Sequence, residues 1–241
     1  NTSGNWSTSI PMPRNINTSS NEGAPTLSAD GRSLVFVACS DQTGYYGPNR
    51  QGRGSCDLFY AKKIGRKWYG PINLPGYVNS SNWESQPSLS ADGKTLYFVR
   101  GRKGDRTNNS DIYVSELQED GSWGAAKALP DYINTPNTEE SVHIHPDGRT
   151  LYFASKGFVG MGGFDVFVSR LNVSGEWGEV KNIGYPINSP SDENSLIVAK
   201  DGRTAYFASS FFNENRNDLD LYTFDLPQES RSLEVAYIQG L

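Results

Sequence analysis

Residues 86–98 read "QPSLSADGKTLYF", and the last nine of them are written almost identically three more times in the chain. The relatives are "SADGRSLVF" from Ser28, "HPDGRTLYF" from His145 and "AKDGRTAYF" from Ala199. Each sets an Asp-Gly pair between two β-prone runs. That pair suits the φ > 0 positions of a two-residue type I′ turn, so each phrase predicts a hairpin of an inner strand A and a strand B. The aspartates Asp30, Asp92, Asp147 and Asp201 are 62, 55 and 54 residues apart, and Trp6, Trp68, Trp123 and Trp177 repeat those spacings. Repetition at such a period is architecture, and function is sought in what breaks it.

Within each unit an Asn follows the Trp by 11 residues (Asn17, Asn79, Asn134, Asn188) and a Glu by 16 (Glu22, Glu84, Glu139, Glu193). A third strand C opens on Asp, as in "DLFYAKK" from Asp57, "DIYVSEL" from Asp111, "DVFVSRL" from Asp165 and "DLYTFDL" from Asp220. A Gly-containing turn then leads to a Trp strand D, such as "GSWGAAKAL", and a Pro/Asn-rich connector returns to the next inner strand. No run has helical periodicity. Units of four antiparallel strands predict an all-β chain folded as a β-propeller with four visible blades. The first D strand precedes the first A strand, so the Trp6 segment is expected to supply the outer strand of the last blade and close the ring, which protects two edges. Five or more blades is the alternative if the chain is a fragment. The propeller is expected over residues 1–228, with 229–241 a tail or the start of a following domain.

Apolar content of 36% and charge of 20% are ordinary for a folded protein, and a net charge of −5 gives no general drive toward nucleic acid. No stretch has the 18 or more apolar residues of a membrane span, and "NTSGNW" has no signal-peptide character. Direct membrane insertion is not expected. Cys39 and Cys56 flank the loop "SDQTGYYGPNRQGRGS" and are read as a disulfide. It would close about 18 residues and contribute roughly 3 kcal/mol in an oxidising compartment; two free buried thiols are the alternative.

"QPSLSADGKTLYF" followed by "SDIYVSEL" resembles the TolB-type, WD-like propeller repeat (PD-type), over almost the whole chain. More narrowly, "NEGAPTLSADG" with the paired cysteines, "HPDGRTLYFAS", "GMGGFDVFVSR" and "GYPIN" resemble the propeller domain of outer-membrane-associated OmpA-like proteins, including the PorE-type component of the type IX secretion system. The resemblance implies a periplasmic, outer-membrane-associated scaffold of a Gram-negative bacterium, with protein partners. Peptidoglycan would be reached only through an OmpA-like domain absent from these residues. Related chains also tend to carry an additional repeat upstream.

Chemistry done once needs residues that differ between repeats. The ring of Glu22, Glu84, Glu139 and Glu193 could hold a cation or a basic peptide, but hydrogen bonding of the connector backbone is the simpler reading. The C-strand aspartates read as turn or strand-start residues. His143 and His145 do break the symmetry. At i and i+2 on a strand they share a face, where Glu139 or Glu140 could join a metal site, against the alternative of an interblade hydrogen-bonding pair. No nucleophile-elbow or phosphate-loop motif occurs, so no catalytic residues, no cofactor and no enzyme activity are expected. A glycan-binding or glycan-cleaving propeller is the rival.

The B to C loops and D to A connectors share one face of a propeller disc, and variation is concentrated there. Tyr and Trp offer rigid area and Arg offers forked donors, so that face predicts a protein-binding surface. Its candidates are Tyr45, Tyr46, Arg50, Arg53, Trp83, Arg102, Arg106, Phe158, Met161, Phe211 and Phe212.

Overall fold

Leu96-Tyr97-Phe98-Val99 shows how a repeat becomes a blade. Leu96 and Phe98 project into a cluster with Val35, Val37 and Leu58 of the preceding unit. Tyr97 and Val99 project into one with Ile144, Leu151 and Phe153 of the following unit. A strand covered on both faces reads as a continuous apolar run, and each fully buried side chain of this size contributes about 1.5–3 kcal/mol.

The computed structural model describes residues 8–102, 109–209 and 220–237. The first antiparallel sheet runs β1 (Asn21–Leu27), β2 (Ser33–Cys39), β3 (Cys56–Ile64), β4 (Lys67–Asn73). The second runs β5 (Glu84–Leu89), β6 (Thr95–Gly101), β7 (Ser110–Glu116), β8 (Lys127–Ala128), and the third β9 (Glu139–Ile144), β10 (Thr150–Ser155), β11 (Asp165–Arg170), β12 (Lys181–Asn182). The fourth has three strands among the described residues, β13 (Asn194–Val198), β14 (Thr204–Ser209) and β15 (Asp220–Asp225). Inner strand β1 packs on β5, β5 on β9 and β9 on β13. All four line one channel of about 330 Å³. The architecture is the expected four-bladed β-propeller.

Each inner strand carries a bulge at the same place. The residue two after the repeated Glu (Ala24, Gln86, Ser141, Ser195) has a positive φ of 43° to 57°, and the ladder register shifts beside it in every blade. Four non-glycine residues in this region are a shared device for bending the inner strands at the channel.

The Asp-Gly hairpins differ from the expected two-residue turn. Only the glycines Gly31, Gly93, Gly148 and Gly202 have positive φ, and each donates its N–H to the carbonyl three residues earlier. The Asp carboxylate instead accepts the N–H two residues on, from Arg32, Lys94, Arg149 and Arg203 at 2.9–3.0 Å. An Asx turn satisfies the loop without forcing Asp into the left-handed region.

β4 forms at full length, but the outer strands of blades two and three are shorter than their sequences suggest. β8 and β12 are two residues long, and Trp123 and Trp177 make only isolated bridges to Leu117 and Leu171. The rest of the outer-strand role passes to the repeated Asn. Asn79 accepts the Leu58 N–H and donates to the Leu58 carbonyl, both at 2.9 Å, and Asn134 and Asn188 do the same at Ile112 and Val166. A side-chain amide thus stands in for one residue of a strand backbone.

Trp6 lies outside the described residues. Ile10 and Pro11, which occupy the repeat positions of the paired Lys127–Ala128 and Lys181–Asn182, belong to no strand, and Ile10 is exposed. At the other end, residues 226–237 leave the repeat pattern and lie along the hairpin side of blades three and four. There Ser230 O accepts from Tyr152, Leu233 N–H donates to Asp147, and Val235 N–H donates to Lys200 O. Residues 238–241 of the expected tail lie outside the described residues.

Candidate functional site

The four glutamates do not converge on the axis as a cation ring. Each reaches back four residues to accept both the N–H and the hydroxyl of Thr18, Ser80, Thr135 or Ser189. This fastens the connector onto its inner strand. Blades differ in what else meets the carboxylate. Arg100 pairs with Glu84 at 2.8 Å from the facing strand, and in blade one Arg50 reaches Glu22 at 2.6 Å from the long loop. Glu139 meets only hydroxyls and an N–H, Ser155 Oγ lying at 2.7 Å. Burial pushes Glu139 up to about 7, with the hydrogen bonds from Thr135 and Ser155 opposing. Glu193 is raised as well, chiefly by burial.

The histidines form an interblade pair. His145 is buried, with Nε2 2.9 Å from Ala199 O, and His143 Nε2 lies 3.3 Å from Val198 O. Asp147 N–H donates to His145 Nδ1, which leaves Nε2 as the protonated nitrogen. Burial lowers His143 to about 4. Asp147 sits below the ordinary carboxylate range: burial alone would raise it, but the Arg149 N–H and the Thr150 N–H and hydroxyl, all donating to the carboxylate, oppose that. No three His, Cys, Asp or Glu residues come together as a metal-binding group among the described residues.

The C-strand aspartates close the B to C loops. Asp57 accepts the N–H groups of Arg53 and Gly54 and the Asn73 amide, Asp165 accepts those of Met161 and Gly162, and Asp111 pairs with Arg102 at 2.6 Å. In blade one the loop is further pinned by a Cys39–Cys56 disulfide across facing residues of β2 and β3.

This anchoring divides the eleven candidates for a protein-binding face. Tyr46 and Arg50 are buried and cannot meet a partner, which corrects the expectation for both. The Tyr46 ring covers Gly52, where a Cβ would lie 2.0 Å from it, and its hydroxyl reaches Gly54 O and Asp57. Arg50 stacks over Phe36 and Phe59 and donates to Glu22 and to the carbonyls of Asn15 and Ile16. Tyr46 is held by its own loop, whereas Arg50 is drawn inward by partners remote in sequence. Trp83 is half-buried against Gly101 and the junction of blades two and three, and Phe158 is half-buried on Phe153 and Phe167. The Arg102 guanidinium is occupied by Asp111 and by the carbonyls of Thr135 and Pro136. Tyr45, Arg53 and Met161 remain exposed. Arg106, Phe211 and Phe212 lie outside the described residues. Val159, 94% exposed two residues before Met161, was not anticipated; the Gly-rich setting "GFVGMGGF" was its only signal.

No family model matches this chain, and no curated protein does. Solved structures do. TolB from Acinetobacter baumannii superposes with a TM-score of 0.54 at 16% identity, over 88% of this chain and 43% of that one. A puromycin hydrolase complexed with PGG superposes with a TM-score of 0.51 at 13% identity, over 93% of this chain and 40% of the hydrolase. The chain therefore spans less than half of either molecule, and at these identities the likeness establishes a TolB-type propeller fold alone. It also corrects the expectation that the chain is not an enzyme. The same blades occur in a hydrolase and in TolB, so this architecture gives no ground for excluding catalysis.

Proposed function

We propose that this propeller is a protein-binding scaffold of the periplasm, engaging its partner through the disulfide-pinned loop face. The observation that carries the reading is the division of labour among polar residues. The four repeated Glu, with Asn79, Asn134, Asn188, Asp57, Asp111 and Asp165, are consumed in holding blades and loops, whereas the exposed groups that break the symmetry, Tyr45, Arg53 and Met161, lie in the B to C loops. A rigid ring presenting fixed loops loses little ordering entropy on binding. The Cys39–Cys56 bridge supports an oxidising compartment. The sequence resemblance supports membership of an outer-membrane-associated assembly, with type IX secretion machinery the specific candidate.

The test is capture from an outer-membrane extract by immobilised wild-type chain and by a Tyr45→Ala, Arg53→Ala, Met161→Ala variant shown by thermal melting to be folded. A protein retained by the wild type and lost by the variant is the expected result. Equal retention by both would remove the loop face from the binding site.

A further inference from the structure

The chain's own residues 228–235 show how a groove between two hairpins is filled. They run between blades three and four, where Tyr152 donates its hydroxyl to Ser230 O at 2.6 Å and Asp147 Oδ2 accepts the Leu233 N–H at 3.1 Å. Arg170 donates to the carbonyls of Glu229 and Arg231, and Lys200 O accepts the Val235 N–H. The fit is close: a Cβ on Gly202 would lie 2.3 Å from Ser232 O. The segment is held there mainly through its backbone.

The groove between blades two and three presents the same groups unpaired. Tyr97, Asp92, Pro146 and Gly148 stand at the repeat positions of Tyr152, Asp147, Lys200 and Gly202, and they line a pocket of about 320 Å³. Tyr97 is 7% exposed, yet its hydroxyl makes no hydrogen bond among the described residues, and Asp92 Oδ2 and Pro146 O accept none. A Cβ on Gly148 would meet nothing within 4 Å. Blades one and two, by contrast, meet directly at this level, Ala29 N–H donating to Ala91 O at 3.0 Å. A buried polar group normally has a partner, so an unpaired tyrosine hydroxyl in a groove of this shape points to a ligand. One charge is reversed between the two grooves. Glu116 lies opposite Thr95 as Arg170 lies opposite Thr150. Burial, then the Glu116 carboxylate, pushes Tyr97 up to about 12.

We propose that the groove between blades two and three binds an extended segment of a partner protein, on the hairpin side of the ring and independently of the loop face. Its backbone pairs with Tyr97, Asp92 and Pro146, and a Lys or Arg side chain of the segment meets Glu116. Where the chain's own segment offers carbonyls to Arg170, the partner's offers a cation to Glu116, and this reversal keeps the two grooves from exchanging occupants.

The probe is a fluorescein-labelled peptide with the sequence of residues 228–236 carrying Glu229→Lys and Glu234→Lys, titrated with the 241-residue chain and followed by anisotropy. It is expected to bind at micromolar concentrations, roughly fivefold more tightly than the unsubstituted peptide, and Glu116→Arg to reverse that preference. Tyr97→Phe should weaken binding about fivefold. Gly148→Asn, at a φ of 68° that Asn tolerates, should keep the wild-type melting temperature and abolish binding. Gly202→Asn should lower the melting temperature by displacing residues 228–235 and leave binding intact. No binding of the Lys peptide overturns the proposal, and so does binding indifferent to both Tyr97→Phe and Glu116→Arg. Binding that survives Gly148→Asn, or is lost in Gly202→Asn, overturns it as well, since the peptide would then sit elsewhere or replace the chain's own segment.

Discussion

Glu139 and His143 oppose each other in how they couple folding to pH. Glu139 is raised from 4.5 to about 7, so the folded state resists its ionisation and stability falls as pH rises from about 4.5 through 7. His143 is lowered from 6.5 to about 4, so the folded state resists its protonation and stability falls as pH drops from about 6.5 through 4. The two windows overlap between about pH 4.5 and 6.5 with opposite slopes, so thermal melts of the wild type should be nearly level there. Glu139→Gln should expose the His143 limb, with stability falling as pH drops from about 6.5 to 4, and His143→Gln should expose the Glu139 limb, with stability falling as pH rises from about 4.5 to 7. The repeated Glu was legible from sequence, but its burial without a cation was not. Residue 155 is Ser where blade two has Arg100, and that matters only because the strand ladder sets Ser155 opposite Glu139.

Strands A, B and C were readable element by element, because apolar runs bounded by turn residues carry their own signal. The outer strands were so only in blade one, where β4 runs seven residues. In blades two and three their ladders shrink to two residues, and part of the missing pairing is supplied by Asn134 and Asn188 from the connectors. Asn79→Ala should strand the Leu58 N–H in a fully buried site and remove one of the two donors to the Leu58 carbonyl, which keeps the Leu74 N–H, at a cost of about 2 kcal/mol. Urea titration of the variant measures this directly. A loss below half that amount would mean the connector relaxes to bring water or another donor to Leu58. The hairpins teach a similar lesson: Asp-Gly announced a turn, but the Asp carboxylate's bond to the N–H two residues on selected a turn other than type I′.

Across the whole molecule, stability resides largely in the junctions between blades, since three of the four apolar clusters draw side chains from two consecutive units. Phe98 belongs to the second blade by its hydrogen bonds and to the first by its packing. Phe98→Ala should cost about 3–5 kcal/mol. The loss should appear in one cooperative transition, with the slope of denaturant dependence unchanged. A separate early transition for blade one would show that the blades fold independently.

The sequence by itself determined the number of blades, their register and the face on which variation gathers, because a repeat imposes the same local pattern of strands and turns each time. Only the tertiary structure decided which of the varying residues face outward. Arg50 appeared as an exposed loop cation, yet it lies buried against Glu22, in the role that Arg100 plays for Glu84 one blade later. Blade one has Ala38 opposite Glu22 and a loop long enough to send back a guanidinium. A buried carboxylate recruits its partner through space from 28 residues away, a coupling that no local pattern records.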